Sequence, residues 1–440
     1  MSKIRLFGTS SGYVEIAPAA AASNNTLTAP STVGEIIAKD AAGAIGITSM
    51  KASNVNVGAA VTITESGIEA SGIGITCANI NGAQIGGRRN LVINGAMTVA
   101  QRGTSSTSTG YQTVDRFRIY TNLVDEAPTQ AQVDVSSGTG PYTEGFRKAF
   151  KITNGNQTSG AGAGDYIFVR HPIEAQNVSN SGWNYTSSSS NVTLSFWVKA
   201  SVAQNYYFSV LSGDGTLQNF PMETGSLSAN TWTKIVKIIP GNSNVVIHND
   251  SGIGIELDWW MFAGTNYTAS GVALNTWAAY SSGTRFPDHT STWYTTNDAT
   301  FEFTGVQLEV GSQATAFEHH TFAEELALCQ RYYCHTYPYT VYPGANYNTN
   351  SDARRGMLFN YRQRDTNYQA FHWAPPVEMR TVPTQTHYSM LGTAGKASGS
   401  TTDFTVNTNN PHNGPTGVMC YGDNTIANDG YVHFVLDAEL

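Results

Sequence analysis

The chain has 440 residues, 13% of them charged and 11% aromatic, with a formal net charge of −8. That length allows about two to four domains. The aromatic content excludes a disordered chain, since each buried ring removes roughly 150–250 Å² from water, and the lack of a basic tract excludes nucleic-acid binding by phosphate neutralisation.

Low charge with abundant Gly, Ser, Thr and Asn describes a β-rich, extracellular-type surface built from hydroxyl and amide groups. The first residues, Met1 to Gly8, lack the apolar core of a signal peptide. No stretch approaches the ~20 apolar residues that span a bilayer, so membrane insertion is not expected. Cys77, Cys329, Cys334 and Cys420 fit no zinc spacing and are too sparse for a disulfide framework. They read as reduced structural thiols.

In chain order, residues 1–33 suggest a hairpin, with Lys3–Phe7 and Tyr13–Ile16 alternating around a Ser-Gly turn. Residues 34–88 lose their aromatics and carry short alternating stretches such as Val61-Thr62-Ile63-Thr64. One such ribbon has too little apolar area to offset the ordering of its own backbone. It reads either as a thin stem in which three copies share a core, or as a flexible linker. Residues 89–320 predict many strands separated by Gly, Asn and Ser turns, which is the pattern of an antiparallel sandwich or jelly roll. Among them are Leu91–Ile93, Arg116–Tyr120, Val192–Lys199, Val245–His248 and Thr300–Leu308, with Gly305 a bulge. Leu194, Phe196 and Val198, and likewise Phe301, Phe303, Val306 and Leu308, share one face by alternation.

Residues 321–336 hold one predicted helix. Thr321-Phe322-Ala323-Glu324 is a capping box, and Phe322, Leu326, Cys329 and Tyr333 share a face. About three turns cannot stand alone, so this helix must pack on a domain or on symmetry mates. Residues 337–440 form a second β domain, with strands at Met357–Tyr361 and Tyr368–Trp373, an extended Pro375–Pro383 connector and a closing strand at Tyr431–Leu440.

Several segments carry a family resemblance. They are Asn90-Leu91-Val92-Ile93-Asn94-Gly95-Ala96-Met97, Gln101-Arg102-Gly103-Thr104, Val114-Asp115-Arg116-Phe117, Phe303–Gly311 and Glu324–Tyr333. Together they resemble the tail-fibre receptor-binding proteins of tailed bacteriophages, especially marine phages. The alternating stretches of residues 89–320 are similar to the jelly-roll carbohydrate-binding modules appended to glycoside hydrolases. The resemblance implies a mainly β, elongated homotrimeric fibre: an N-terminal segment held by phage tail or adaptor proteins, an intertwined stem, a jelly-roll β-sandwich, a helical neck and a distal C-terminal β-sandwich. It implies a virion protein, made in the host cytoplasm, that binds a host cell-surface polysaccharide, lipopolysaccharide being the expected one, without catalysis. The alternatives are a tailspike-like depolymerase and a purely structural virion protein.

Sugars offer C–H faces that stack on aromatic rings. The candidate contacts are therefore loop-like aromatics: Trp183, Tyr185, Trp277, Trp293 and Tyr294 in the sandwich, with Tyr280 beside them. Tyr342, Tyr347, Tyr368 and Trp373 are the candidates in the C-terminal domain, slightly favoured as the receptor site, with Tyr337, Tyr339, Arg362, Arg364 and His372 beside them. Each could instead serve packing. Trp197, Trp232, Trp259 and Trp260 sit in strand patterns and read as mostly core. Glu318-His319-His320 reads as a loop before the capped helix, since neighbouring histidines on extended backbone diverge. Asp115-Arg116 reads as an ion pair. No cofactor, metal or catalytic residue is assigned, and no carboxylate pair suited to glycoside hydrolysis is identifiable.

Overall fold

The computed structural model divides the chain into two units, residues 1–75 and 76–440. It describes residues 88–360, 368–399, 403–407, 413–423 and 430–440, together with the strands Ile4–Phe7, Tyr13–Ile16, Asn79–Ile80 and Ala83–Gln84. The first two strands pair antiparallel with Ile4 opposite Ile16, the hairpin that alternation predicts. The rest of the expected attachment segment and of the expected stem lies outside the described residues, apart from the pair Asn79–Ile80 and Ala83–Gln84 and from Arg88. Among the described residues no helix is long and apolar enough to cross a membrane.

Two six-stranded sheets form the sandwich. One runs in the order Thr233–Pro240, Asn191–Ala200, Thr300–Val310, Lys148–Thr153, Thr129–Asp134, Ser105–Ser106. The other runs Ala278–Ala279, Gln218–Ser226, Asn205–Ser212, Ile253–Ala263, Tyr166–Glu174, Arg118–Asn122. The inner faces meet in one core. Leu194, Phe196 and Val198, with Phe301, Phe303, Val306 and Leu308, are all buried there as their alternation predicts. Phe196 meets Phe208 at 5.1 Å and Trp259 at 5.8 Å across the gap, and Trp259 stacks on Phe303 at 5.1 Å.

The bulge predicted at Gly305 is present: pairing with the neighbouring strand shifts between Ser195 and Trp197, and Gly305 has φ +65°. A Cβ there would lie 2.6 Å from the Phe146 ring. Two predicted strands are absent. Leu91–Ile93 lies in turn structure, and the 245–248 stretch contributes only an isolated bridge between Asp214 and Val246. Leu91 instead uses its N–H on the Leu308 carbonyl at 2.9 Å, and the Asn90 side chain also bonds this strand. Apolar residues there fill a crevice without a partner strand, so composition misled the reading.

The helix spans Phe322–Gln330 and carries the predicted capping box between Thr321 and Glu324. It packs within the chain: Leu326, Leu328 and Cys329 cluster with Ile93, Val99, Tyr332 and Leu440. In the C-terminal eight-stranded sheet the strand Gly430–Asp437 is central. It pairs with Tyr333–His335, Thr384–Tyr388 and Leu358–Asn360. Phe434, Leu436, Cys334 and Cys420 lie in its core. Cys329, Cys334 and Cys420 are buried free thiols.

Three of the segments that carry the family resemblance, 101–104, 114–117 and 324–333, converge on one buried junction. Asp115 and Arg116 do not pair with each other. Asp115 takes the Gln101 backbone N–H at 2.9 Å and lies 4.0 Å from Arg102. Arg116, at φ +71°, pairs with Glu439, donates to the Pro172 carbonyl at 2.8 Å and lies 3.5 Å over the Tyr332 ring. Arg102 reaches Glu439 and Asp437 and lies 3.5 Å over Tyr333. Glu174 accepts from Arg331 and from the Tyr332 hydroxyl. The left-handed turn at Arg116 sends its guanidinium to Glu439, Pro172 and Tyr332, while Asp115 faces Gln101 and Arg102, so the expected Asp115–Arg116 ion pair does not form. The junction joins the sandwich, the helix end and the last strand. Burial pushes Asp115 up to about 6, although Arg102 and Gln101 oppose it.

Candidate functional site

The antiparallel register brings two rows of side chains onto the outer face of the second sheet. One row is Tyr120, Phe168, Trp260 and Tyr207, directly opposite one another on successive strands. The next row is Arg118, Arg170, Asp258 and Ser209. Tyr120 stacks on Phe168 with centroids 4.8 Å apart and 7° between planes, and Phe168 stacks on Trp260 at 4.3 Å and 10°. Cross-strand aromatic pairs of this kind stabilise a sheet by roughly 0.5–1.5 kcal/mol each.

The polar row is charge-paired but not evenly. Arg170 donates to Asp258 through Nε at 2.7 Å and Nη2 at 2.8 Å, and to Glu256 through Nη1 at 2.6 Å. Arg285 donates to Asp258 at 2.9 Å and to the Tyr280 hydroxyl at 2.6 Å. Burial alone would favour the neutral form of Arg170, but Asp258 and Glu256 outweigh it and raise its pKa. Burial, helped by Asp258, moves Glu256 upward against Arg170. Arg118 lies 4.4 Å over Tyr120 and 5.6 Å from the Tyr111 ring centroid.

One end of the face is covered. Phe286 packs on Tyr207 and Trp260, Tyr267 on Trp260 and Tyr166, and Arg285 lies 4.7 Å over Trp260. The other end, with Tyr120, Arg118 and Arg170, is half-exposed. Five polar atoms of this face are buried without a hydrogen-bond partner: Arg118 Nε, Ser209 Oγ, Asn219 Oδ1, Trp260 Nε1 and Arg285 Nε. At the edge of the sheet, Asn219 also lines a cavity of about 210 Å³ with Pro221, Val272, Thr276 and Thr284. Phe168 and Trp260 are themselves buried, so it is the open end, with the Tyr120 ring beside the Arg118 and Arg170 guanidinium forks, that can hold a polyhydroxylated ligand by stacking and directed hydrogen bonds.

The sequence-derived candidates fall elsewhere. Trp183, Trp293 and Tyr294 are buried in the sandwich core, so their ring faces are not exposed as expected. The Trp293 and Trp183 indoles donate to the Thr300 and Ser190 carbonyls. Tyr185 and Trp277 are half-buried against the core, with their polar ends on the Ile247 and Pro240 carbonyls. In the C-terminal domain Tyr337 stacks on His433 at 3.5 Å, and the Tyr339 hydroxyl accepts from the Ala100 N–H. Tyr347 packs with Tyr337 and Val341 beneath Arg354. Tyr342 is half-buried, Trp373 packs against Phe434, and His372 is exposed. The side chains of Tyr368, Arg362 and Arg364 lie outside the described residues.

Of the candidates, only Tyr280 touches the two-row face. Trp260 was read as core, and it is buried, but on the opposite side of the sheet from Trp259. The signal that could have found the face was the i, i+2 spacing of Arg118 with Tyr120, of Phe168 with Arg170 and of Asp258 with Trp260, which sets each pair on one face of a strand. Glu318-His319-His320 forms the expected loop. His319 bonds the Glu144 carbonyl and His320 bonds Glu325, and the described residues contain no metal-like cluster.

No family model matches the chain, and no curated protein matches it. Solved structures similar to part of it include the enzymatically active domain of tailspike protein 4 of bacteriophage CBA120, at 9% identity and TM-score 0.27 over 50% of this chain and 21% of that one. The N-terminal cellulose-binding domain of β-1,4-glucanase C from Cellulomonas fimi aligns at 9% identity and TM-score 0.24 over 49% of this chain and 99% of that one. A family 30 carbohydrate-binding module aligns at 9% identity and TM-score 0.22 over 51% and 88%. The match thus spans only about a fifth of the tailspike chain.

Proposed function

We propose that this chain is a phage tail-fibre adhesin that binds a bacterial surface glycan without cleaving it. In this reading it acts in the virion as a homotrimer whose N-terminal segment meets tail or adaptor proteins. The observation that carries the glycan reading is the open end of the two-row face: the half-buried Tyr120 ring, backed by the buried Phe168 and Trp260, beside the Arg118 and Arg170 guanidinium forks. This reading puts the receptor site on the sandwich; in the C-terminal region Tyr337 and Tyr339 are used in packing. The phage assignment rests on the resemblance of the Asn90–Tyr333 segments. Glu256 and Asp258 share Arg170 as an ion-pair partner. Carboxylates so held do not flank an open position for a glycosidic bond, which supports a non-catalytic role. Weak single sites are compatible with attachment, because three sites per fibre raise avidity by ~10²–10⁴-fold.

The test is adsorption competition. Purified full chain is expected to block phage adsorption to host cells, and Tyr120→Ala to need roughly tenfold more protein. Absence of blocking by the folded chain would sink the adhesin reading. Release of reducing ends from host polysaccharide, abolished by Glu256→Gln, would replace it with a depolymerase.

A further inference from the structure

We infer that the open end of the two-row face takes an anionic sugar substituent, a carboxylate or a phosphate, on Arg118. The inference rests on reading this face as the glycan site, and it specifies the class of glycan.

The first observation is a like-charge pair. Arg118 stands directly opposite Arg170 on neighbouring antiparallel strands. Like charges so placed oppose pairing of the strands. Arg170 is relieved by Asp258 and Glu256, and Asp258 also takes Arg285. Two carboxylates thus serve two of the three arginines, and one positive charge is left unbalanced. Among the described residues, Arg118 has no carboxylate partner, and its Nε is buried without a hydrogen bond.

The second observation is how the guanidinium is held. Tyr120 lies 4.4 Å and Tyr111 5.6 Å from its central carbon. Tyr111 is itself anchored by its hydroxyl on the Leu440 carbonyl at 3.0 Å. Two anchored rings fix the plane of the fork and shield it from water. A fixed planar fork matches two oxygens of a carboxylate or phosphate, and partial desolvation strengthens that contact. The chain carries a net charge of −8, so bulk attraction of an anion is unfavourable. Recognition of an acidic glycan then requires a local unpaired cation beside the stacking rings, which is what Arg118 provides.

The experiment uses the full chain over three immobilised polysaccharides: polygalacturonate, a phosphomannan and a neutral galactan. Affinities are read by interferometry at low and high salt. The expected result is that one charged polymer binds at least about tenfold tighter than galactan, with the preference shrinking as salt rises. Whichever charged polymer wins separates carboxylate from phosphate. Arg118→Gln is expected to bring charged and neutral polymers to parity. Arg118→Lys, which keeps the charge but not the fork, is expected to fall between. Thermal melting of both variants checks that the fold is retained. Equal affinity for charged and neutral polymers, or a preference that survives Arg118→Gln in a folded protein, overturns the inference and leaves the glycan reading standing. Binding to none of the three also overturns it, and adsorption competition then decides separately whether the face binds a glycan.

Discussion

The guanidinium of Arg116 lies 3.5 Å over the ring of Tyr332, more than two hundred residues away in sequence, and its charge is met by Glu439 in the last strand's extension. Three segments that look unrelated in the sequence are thereby one structural unit. Arg116 and Glu439 expose 1% and 5% of their side chains, so neither charge has solvent to fall back on.

Removing one partner should therefore be severe. Arg116→Ala leaves Glu439 buried with only Arg102 nearby and is expected to cost about 3–5 kcal/mol in chemical denaturation. Arg116→Met, which keeps the bulk, should recover part of the packing but not the charge. A loss below about 1 kcal/mol for Arg116→Ala would show that the junction does not hold the fold together.

Gly305→Ala is a second destabilising change. The position has φ +65°, and the added methyl would meet the Phe146 ring, itself packed against Phe317 and His319. Backbone strain and overpacking together suggest about 2–4 kcal/mol, read as a fall in denaturation midpoint. Gly305→Ala with Phe146→Leu should recover the steric part and leave the strain.

Stability should fall in mild acid. Burial holds His335, His387 and His433 down at about 4, and His171 well below its ordinary value. A histidine depressed in the folded state contributes stability above its unfolded pKa of about 6.5 and loses it as pH falls toward 4. Asp115, pushed up to about 6, works in the opposite sense: the folded form takes its proton first, which offsets part of the loss. Both ring nitrogens of His387 are buried without a partner. His387→Phe should therefore remove about 2 kcal/mol of the stability difference between pH 7.5 and pH 5. An unchanged pH dependence in that variant would refute the assignment.

Two aromatic substitutions should separate packing from binding. Trp293→Ala empties a fully buried core site and is expected to cost about 3–5 kcal/mol. Tyr120→Ala, at a half-exposed edge, should cost less stability and weaken adsorption blocking more. The reverse pattern, measured by melting and by competition, would return the site to the sequence-derived loops.

Much of the fold was legible because its cause is local. The hairpin at Ile4–Phe7 and Tyr13–Ile16, the capping box at Thr321 and the bulge at Gly305 each follow from a few adjacent residues. Leu194, Phe196 and Val198 fell on the core side because alternation on a strand leaves no other choice. The candidate site was not legible in this way. Trp183 and Trp293 sit in loop-like sequence, yet their loops fold back into the core, and an indole N–H needs only one carbonyl to be buried comfortably.

The sequence by itself determined the β class, the two β-rich regions flanking one capped helix, and which strand residues face inward, since these depend on period-two alternation and local caps. Only the tertiary structure decided that Arg116 answers Glu439 and not Asp115, and that Arg118 faces Arg170 with no carboxylate of its own among the described residues. Those partnerships depend on which strands lie side by side and in what register. A register is set by the packing of the whole sheet, and a shift of one residue would move every one of these side chains to the other face.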